Sequence, residues 1–243
     1  MNILIVYAHP EPNSLNGYLK NLAVETLSTA GHEVMVSDLY EKNFKAVADR
    51  HDFTELYNPK KLNYIVEQYH ASKNRTFTKD ILEEQDHLLW ADIVIFQFPI
   101  WWTESPAILK GWFDRVLAYN FAYGPGHYDQ GNLRGKKAML SITHGASSLA
   151  NYGNDGLKGD LDERLFNIQH EKLFFCGMDV IKPFIFHSTA KDDVKTDLFN
   201  AYRQRLLNIS NEPVIPFHPL AHYENGQLKD EYKTSMQPEL KMF

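Results

Sequence analysis

The chain has one cysteine, Cys176, in 243 residues, so no intrachain disulfide is possible and the fold has to rest on its core. That fits a reducing compartment. It has no excess of positive charge: the formal net charge is −6, which argues against nucleic acid or an anionic membrane surface as its main partner. It also lacks an apolar run of membrane-spanning length. The opening Met1-Asn2-Ile3-Leu4-Ile5-Val6-Tyr7 has neither a basic leader nor a small-residue cleavage site and runs straight into His9-Pro10-Glu11-Pro12. It reads as a buried strand rather than a signal peptide, and a cytoplasmic protein without an integral membrane segment is expected. The G-x-G-x-x-G and G-x-x-x-x-G-K-[ST] phosphate loops, the G-x-S-x-G nucleophile turn, H-E-x-x-H and C-x-x-C are all missing. Eleven scattered histidines give no metal pattern. His218 and His222 are four apart, but Pro219 argues against a helical pair and no metal site is expected. No internal repeat or low-complexity tract is visible.

What is present suits a globular α/β protein. The hydrophobic fraction of 44% is enough for a full core. A continuous apolar run at residues 3–8 and a nearly all-apolar one at 92–98 predict buried parallel strands, and residues 33–37 and 137–143 read as two more strands. A fifth at 180–186 is interrupted by Pro183, which suggests a sheet edge. Between them, Ser14 caps a helix carrying Leu15, Leu19, Leu22 and Leu27 on one face, closed by Gly31. Residues 106–117 and 192–209 also read as helices, the latter with Val194, Leu198, Tyr202 and Leu206 in register. The long stretch 41–90 is expected to hold a loop and at least one helix, capped by Thr78, with Ile81, Leu82, Gln85, Leu88 and Leu89 behind it. The tail after Asn211, with Pro213, Pro216 and Pro219, should be irregular. The sum is a five-stranded, doubly wound parallel sheet with helices on both faces, which binds ligands at the carboxyl ends of its strands.

Three loops fall at that edge. Ala8-His9-Pro10-Glu11-Pro12-Asn13-Ser14-Leu15-Asn16 leads into a helix N-terminus, with His9, Asn13, Ser14 and Asn16 as neutral donors; it is either a phosphate site or a capped polar turn. Pro99-Ile100-Trp101-Trp102-Thr103 places two tryptophans between prolines, suited to lie against a planar ring or simply to bury apolar area. Thr143-His144-Gly145-Ala146 offers close backbone approach and is followed by Tyr152 and Lys158. Converging, the three point to a planar, phosphate-bearing ligand, and flavin is the natural candidate. Cys176, beside Phe174 and Phe175, reads as a small buried hydrophobe.

Residues 91–99 (Ala-Asp-Ile-Val-Ile-Phe-Gln-Phe-Pro) and 106–116 (Pro-Ala-Ile-Leu-Lys-Gly-Trp-Phe-Asp-Arg-Val), with Val6-Tyr7-Ala8-His9, Ser37-Asp38-Leu39-Tyr40, Phe121-Ala122-Tyr123 and Phe175-Cys176-Gly177, resemble the NAD(P)H:quinone oxidoreductase family of the DT-diaphorase type, in the flavodoxin-like superfamily. The resemblance spans nearly the whole chain and implies a flavodoxin-like domain over 1–210 and a C-terminal extension over 211–243, packed on the same domain or on a dimer partner. It implies a homodimer with FAD, rather than FMN, in sites shared between subunits. It also implies ping-pong hydride transfer from NAD(P)H to a quinone-like acceptor. By this resemblance His9 and Asn16 hold the FAD phosphates and their loop, and Leu15 stands where the family often has Phe. Asn63 replaces a flavin-contacting Gln. Ile100 to Thr103 and Thr143 to Ala146 flank the isoalloxazine, Tyr123 and Trp101 line the acceptor pocket, and a second pocket tyrosine is lost at Gly124. Lys195 falls near a family Arg. The catalytic pair is a Tyr followed six residues later by a His; here Tyr152 is followed by Lys158. Lysine supplies fixed charge to a developing anion but is a poor proton relay near neutrality. The same superfamily includes flavin-bearing subunits of potassium efflux systems, an alternative of a different class.

Overall fold

The computed structural model describes residues 1–145, 151–153 and 155–233. Its centre is a parallel sheet of β1 (Asn2–Tyr7), β2 (Glu33–Asp38), β3 (Ile93–Pro99), β4 (Lys137–His144) and β5 (Asp179–His187), in the order β2-β1-β3-β4-β5. All of β3 and nearly all of β1 and β4 are buried, as expected of central strands covered on both faces. One face is covered by α1 (Leu15–Thr29) and α6 (Asp192–Leu207), through Leu19, Leu22 and Leu27 from the first and Tyr202 and Leu206 from the second. The other is covered by α3 (Lys79–Trp90), α4 (Ala107–Val116) and α5 (Leu161–Ile168). A third small core, with Phe53, Ala71 and Phe77, lies under α2 (Tyr64–Asn74).

Local chemistry explains the boundaries. The Ser14 hydroxyl accepts from the Gly17 amide at 3.2 Å, a true N-cap. Gly31, at φ 83°, takes the left-handed position that ends α1. β5 is an edge strand, and Pro183 sits in a bulge: Met139 pairs with Ile181 and Ser141 with Phe184, so Lys182 and Pro183 share the space opposite Leu140. Arg205 bonds both freed carbonyls, Lys182 at 2.7 Å and Pro183 at 3.0 Å.

The structure departs from the sequence expectations in several places. The stretch 41–90 is as expected in holding at least one helix; it has two, and it is tied to α4 through buried Arg115, which meets Asp52 at 3.1 Å and partly exposed Asp80 at 2.7 Å. Thr78 precedes α3, but its hydroxyl turns to Asp80 at 2.6 Å instead of capping the backbone. Leu89 and Val194, expected on apolar faces, are 55% and 46% exposed, because each lies at the margin of its helix's buried stripe. Helix α5 and the π-helical turn that continues it, Gln169–Phe174, were not anticipated. The tail is not wholly irregular. Ile215 N bonds Val180 O at 2.7 Å, so the tail covers the open edge of β5. Beyond it a small hairpin, β6 (Tyr223–Glu224) with β7 (Gln227–Leu228), turns on Asn225-Gly226, both at positive φ. His218 and His222 do meet, Nδ1 to Nδ1 at 2.9 Å, across a short 3-10 turn rather than on a regular helix. Among the described residues no helix is long and apolar enough to cross a membrane.

Candidate flavin site at the carboxyl edge of the sheet

Parallel register brings the ends of β1, β3, β4 and β5 side by side. Ala8 N bonds Gln97 O at 3.0 Å, Ile100 N bonds Thr143 O at 2.8 Å, and Ser188 N bonds His144 O at 3.0 Å. The three predicted loops therefore share one edge. Asn16 stitches them: its amide donates to Thr143 Oγ1 at 2.9 Å and its carbonyl accepts from buried Gln97 Nε2 at 2.9 Å. Both ends of that side chain are used internally, so Asn16 holds the loop. The donors left for a ligand are the first backbone N–H groups of α1, which have no intrahelical acceptor.

His9 organises this loop. Its Nδ1 accepts from the Glu11 amide at 3.0 Å and lies 3.0 Å from the Ser14 hydroxyl. Its ring is 5.9 Å from that of Trp101, which joins the first loop to the second. Asn13 is exposed, its backbone N–H donating to Glu11 Oε1 at 2.8 Å, and Leu15 packs at the margin of the α1 core. Pro99 is buried at the end of β3. Trp101 and Glu104 close a tight turn with bonds of 3.0 and 3.1 Å in both directions. Its central residues, Trp102 and Thr103, sit at φ 52° and 64°, and Trp102 is 98% exposed.

On the opposite side, His144 is buried at the end of β4, while Gly145 is exposed. Ala146 lies outside the described residues. Tyr152 packs edge-on to His144 at 5.1 Å, and the Lys158 ammonium is 5.9 Å from the Tyr152 ring. Burial pushes the His144 imidazole down to about 4, with His187 and Lys158 adding repulsion. It is therefore neutral at pH 7. The edge so assembled offers helix-terminal amides for an anion, exposed indole surface for a flat ring, and an ammonium beside a neutral imidazole and a phenol. That donor set fits a flavin.

Other predicted residues lie elsewhere. Tyr123 lines a separate cavity of about 500 Å³ with Tyr64, Gln68, Phe113, Phe175 and Cys176, and among the described residues none of the three loops lines it. Gly124 stands beside it in a turn closed by Gly126. Asn63 is exposed at the start of α2, next to cavity-lining Tyr64. Lys195 is in the first turn of α6, 3.7 Å from Asp192. Burial raises the Cys176 thiol to about 12, so it is protonated and inert as expected. Sequence reasoning missed Gln97, His187 and Ser188. His187 ends β5 and Ser188 follows it, the same edge position that marked the other loops. His187 stands 4.9 Å from His144, ring to ring, and Ser188 Oγ donates to the His144 carbonyl at 2.7 Å.

A family model for the flavodoxin-like fold matches residues 1–209. Human ribosyldihydronicotinamide dehydrogenase [quinone] is 46% identical over 229 residues, covering 93% of this chain and 98% of that protein. Rat NAD(P)H dehydrogenase [quinone] 1 is 40% identical, covering 98% of this chain and 88% of its own. A solved structure from Klebsiella pneumoniae, assigned as a quinone reductase, superposes with a TM-score of 0.88 at 38% identity, covering 98% of this chain and 96% of that one.

Proposed function

Since the chain belongs to the flavodoxin-like fold family and, within it, to the quinone oxidoreductases, we propose that it is a flavin-dependent oxidoreductase passing a hydride from a dihydronicotinamide to a quinone by a ping-pong route. When bound, a flavin, FAD in this reading, would supply the two-electron chemistry. The chain's own residues bind, orient and neutralise. The N-terminus of α1 and the loop held by His9, Ser14 and Asn16 take the phosphates. Trp101, Trp102 and Thr103 on one side and Thr143 to Gly145 on the other flank the ring. Lys158 and the Tyr152 hydroxyl supply charge and a donor where negative charge grows. A neutral His144 holds Tyr152 by ring contact rather than as a cation.

The observation that carries this reading is the meeting of Tyr152, Lys158 and His144 at the edge where the phosphate loop also ends. The separate Tyr123 cavity supports a homodimer. If Tyr123 of one subunit faces the loops of the other, both halves of an acceptor pocket come together. The efflux-subunit alternative finds no support in the relatives above. The test is direct. Purified protein should be yellow and release FAD by mass analysis, and it should reduce a simple quinone. NADH, NADPH and ribosyldihydronicotinamide are to be compared as donors, because the human and rat relatives are named for different ones. A colourless protein that gains no thermal stability from FAD overturns the reading, since a ligand bound only by the folded state must stabilise it.

A further inference from the structure

Helix α5 touches both walls of the site with side chains from one of its faces. Arg164 and Asn167, three residues apart, are neighbours on the helix surface. Arg164 Nε donates to the Lys158 carbonyl. Asn167 Nδ2 donates to Glu104 Oε2, and the other Glu104 oxygen accepts from the Ser105 amide at 2.9 Å. Glu104 is the residue that closes the Trp101 turn, whose tip holds Trp102 and Thr103 in left-handed backbone. Such backbone persists in non-glycine residues only where the surroundings fix it. Asn167 is itself pinned, its carbonyl accepting from Lys172 Nζ at 3.2 Å.

We propose that Arg164 and Asn167 are positioning residues. Together they make α5 a strut that fixes the distance between the Lys158 loop and the Trp101–Glu104 turn, and so sets the gap in which the ring system and the acceptor stack. This rests on the flavin site proposed above. Neither side chain touches the reacting atoms; one acts through the Lys158 backbone and the other through Glu104. The two halves have different readouts. The turn is a binding wall, so disturbing it changes flavin affinity and the acceptor KM. The Lys158 loop carries the charge, so disturbing it changes the rate of flavin reduction.

The decisive pair is Asn167→Asp alone and combined with Glu104→Gln. The single change sets two carboxylates against each other; the combination restores a donor and an acceptor in reversed order. FAD titration of the apoprotein, with indole fluorescence quenching as the signal, should show affinity about ten-fold weaker in the single variant, the cost of one charged hydrogen bond. The acceptor KM should rise in parallel. The double variant should return to within about two-fold of the original, because the contact is a coupled pair. Arg164→Ala should slow flavin reduction about ten-fold on the same grounds while FAD affinity holds. If Asn167→Asp binds FAD as tightly as the unaltered chain, or the folded double variant is not rescued, the Glu104 half of the strut is wrong. If Arg164→Ala reduces flavin at the original rate, the Lys158 half is wrong. Should the unaltered protein take up no flavin at all, it is the functional reading that fails, and the strut falls with it.

Discussion

Lys158 holds its ammonium 5.9 Å from the Tyr152 ring, beside a histidine kept neutral by burial. In the proposed function, the Lys158 side chain stabilises negative charge that grows on the ring. Lys158→Ala should therefore slow flavin reduction, on the order of a hundred-fold if one preorganised charge partner is lost. Lys158→His should keep much of the rate and add a pH dependence near neutrality, where imidazoles titrate. Tyr152→Phe should cost less, roughly 1 to 2 kcal/mol for one neutral donor. Stopped-flow measurement of the reductive half-reaction decides all three, and an unchanged rate in Lys158→Ala ends the catalytic assignment. His144 has a second consequence. Its folded value of about 4 lies below the ordinary 6.5, so the unfolded chain binds the proton more readily. Its contribution is fully present above pH 6.5 and is lost as pH falls toward 4. The loss is on the order of 3 kcal/mol at most. Asp162 works in the opposite sense across part of that window, because burial and Asp160 raise its carboxyl to about 6. Urea midpoints measured from pH 7 to 4 should thus fall less steeply in His144→Gln than in the parent.

Helix α1 meets the loop before it, proposed above to take the phosphates, without a spacer. A Cβ on Gly17 would lie 1.9 Å from the Pro12 carbonyl oxygen. Gly17→Ala should force the loop off the helix. FAD affinity should fall by ten-fold or more, about the cost of 1.4 kcal/mol, while far-ultraviolet circular dichroism is retained. Retained affinity would mean that the loop yields. This loop was readable in advance because its parts are local: a strand run, a Ser14 cap and a left-handed Gly31. The sheet was readable for a similar reason, since buried parallel strands are near-continuous apolar runs. Helix α5 was not. Its buried residues are only Leu161, Leu165 and Ile168, too short a period to stand out, and it passes straight into a π-helical turn. The Trp102-Thr103 turn carries none of the Asn or Gly that normally announces positive φ, so only the folded chain reveals it. The place of Tyr123 depends on packing between α2, α4 and the segment after α5, a long-range arrangement with no sequence period.

The cavity beside Tyr123 opens on a surface the three loops do not reach. In the proposed homodimer, this surface would face the partner's loops and complete an acceptor pocket. Light scattering should report twice the chain mass of 28.2 kDa, and Tyr123→Ala should raise the acceptor KM with little change in flavin reduction. A fully active monomer would rule the arrangement out. FAD should also raise the melting temperature in a concentration-dependent way, by mass action.

β1 precedes the other strands of the sheet in the chain and ends between two of them, β2 and β3. Ile3 finds Val34 soon, but its second partner, Ile93, is made only after the whole of α2 and α3. At synthesis rates of roughly 5–20 residues per second, the nascent chain spends several seconds with an apolar strand open along one edge. Such an edge is a template for pairing with the wrong neighbour. The segment that supplies the Tyr64 wall of the cavity is thus also a delay in vectorial assembly. A chain arrested between Asp38 and Ile93 has β1 and β2 but not β3, and so exposes that open edge.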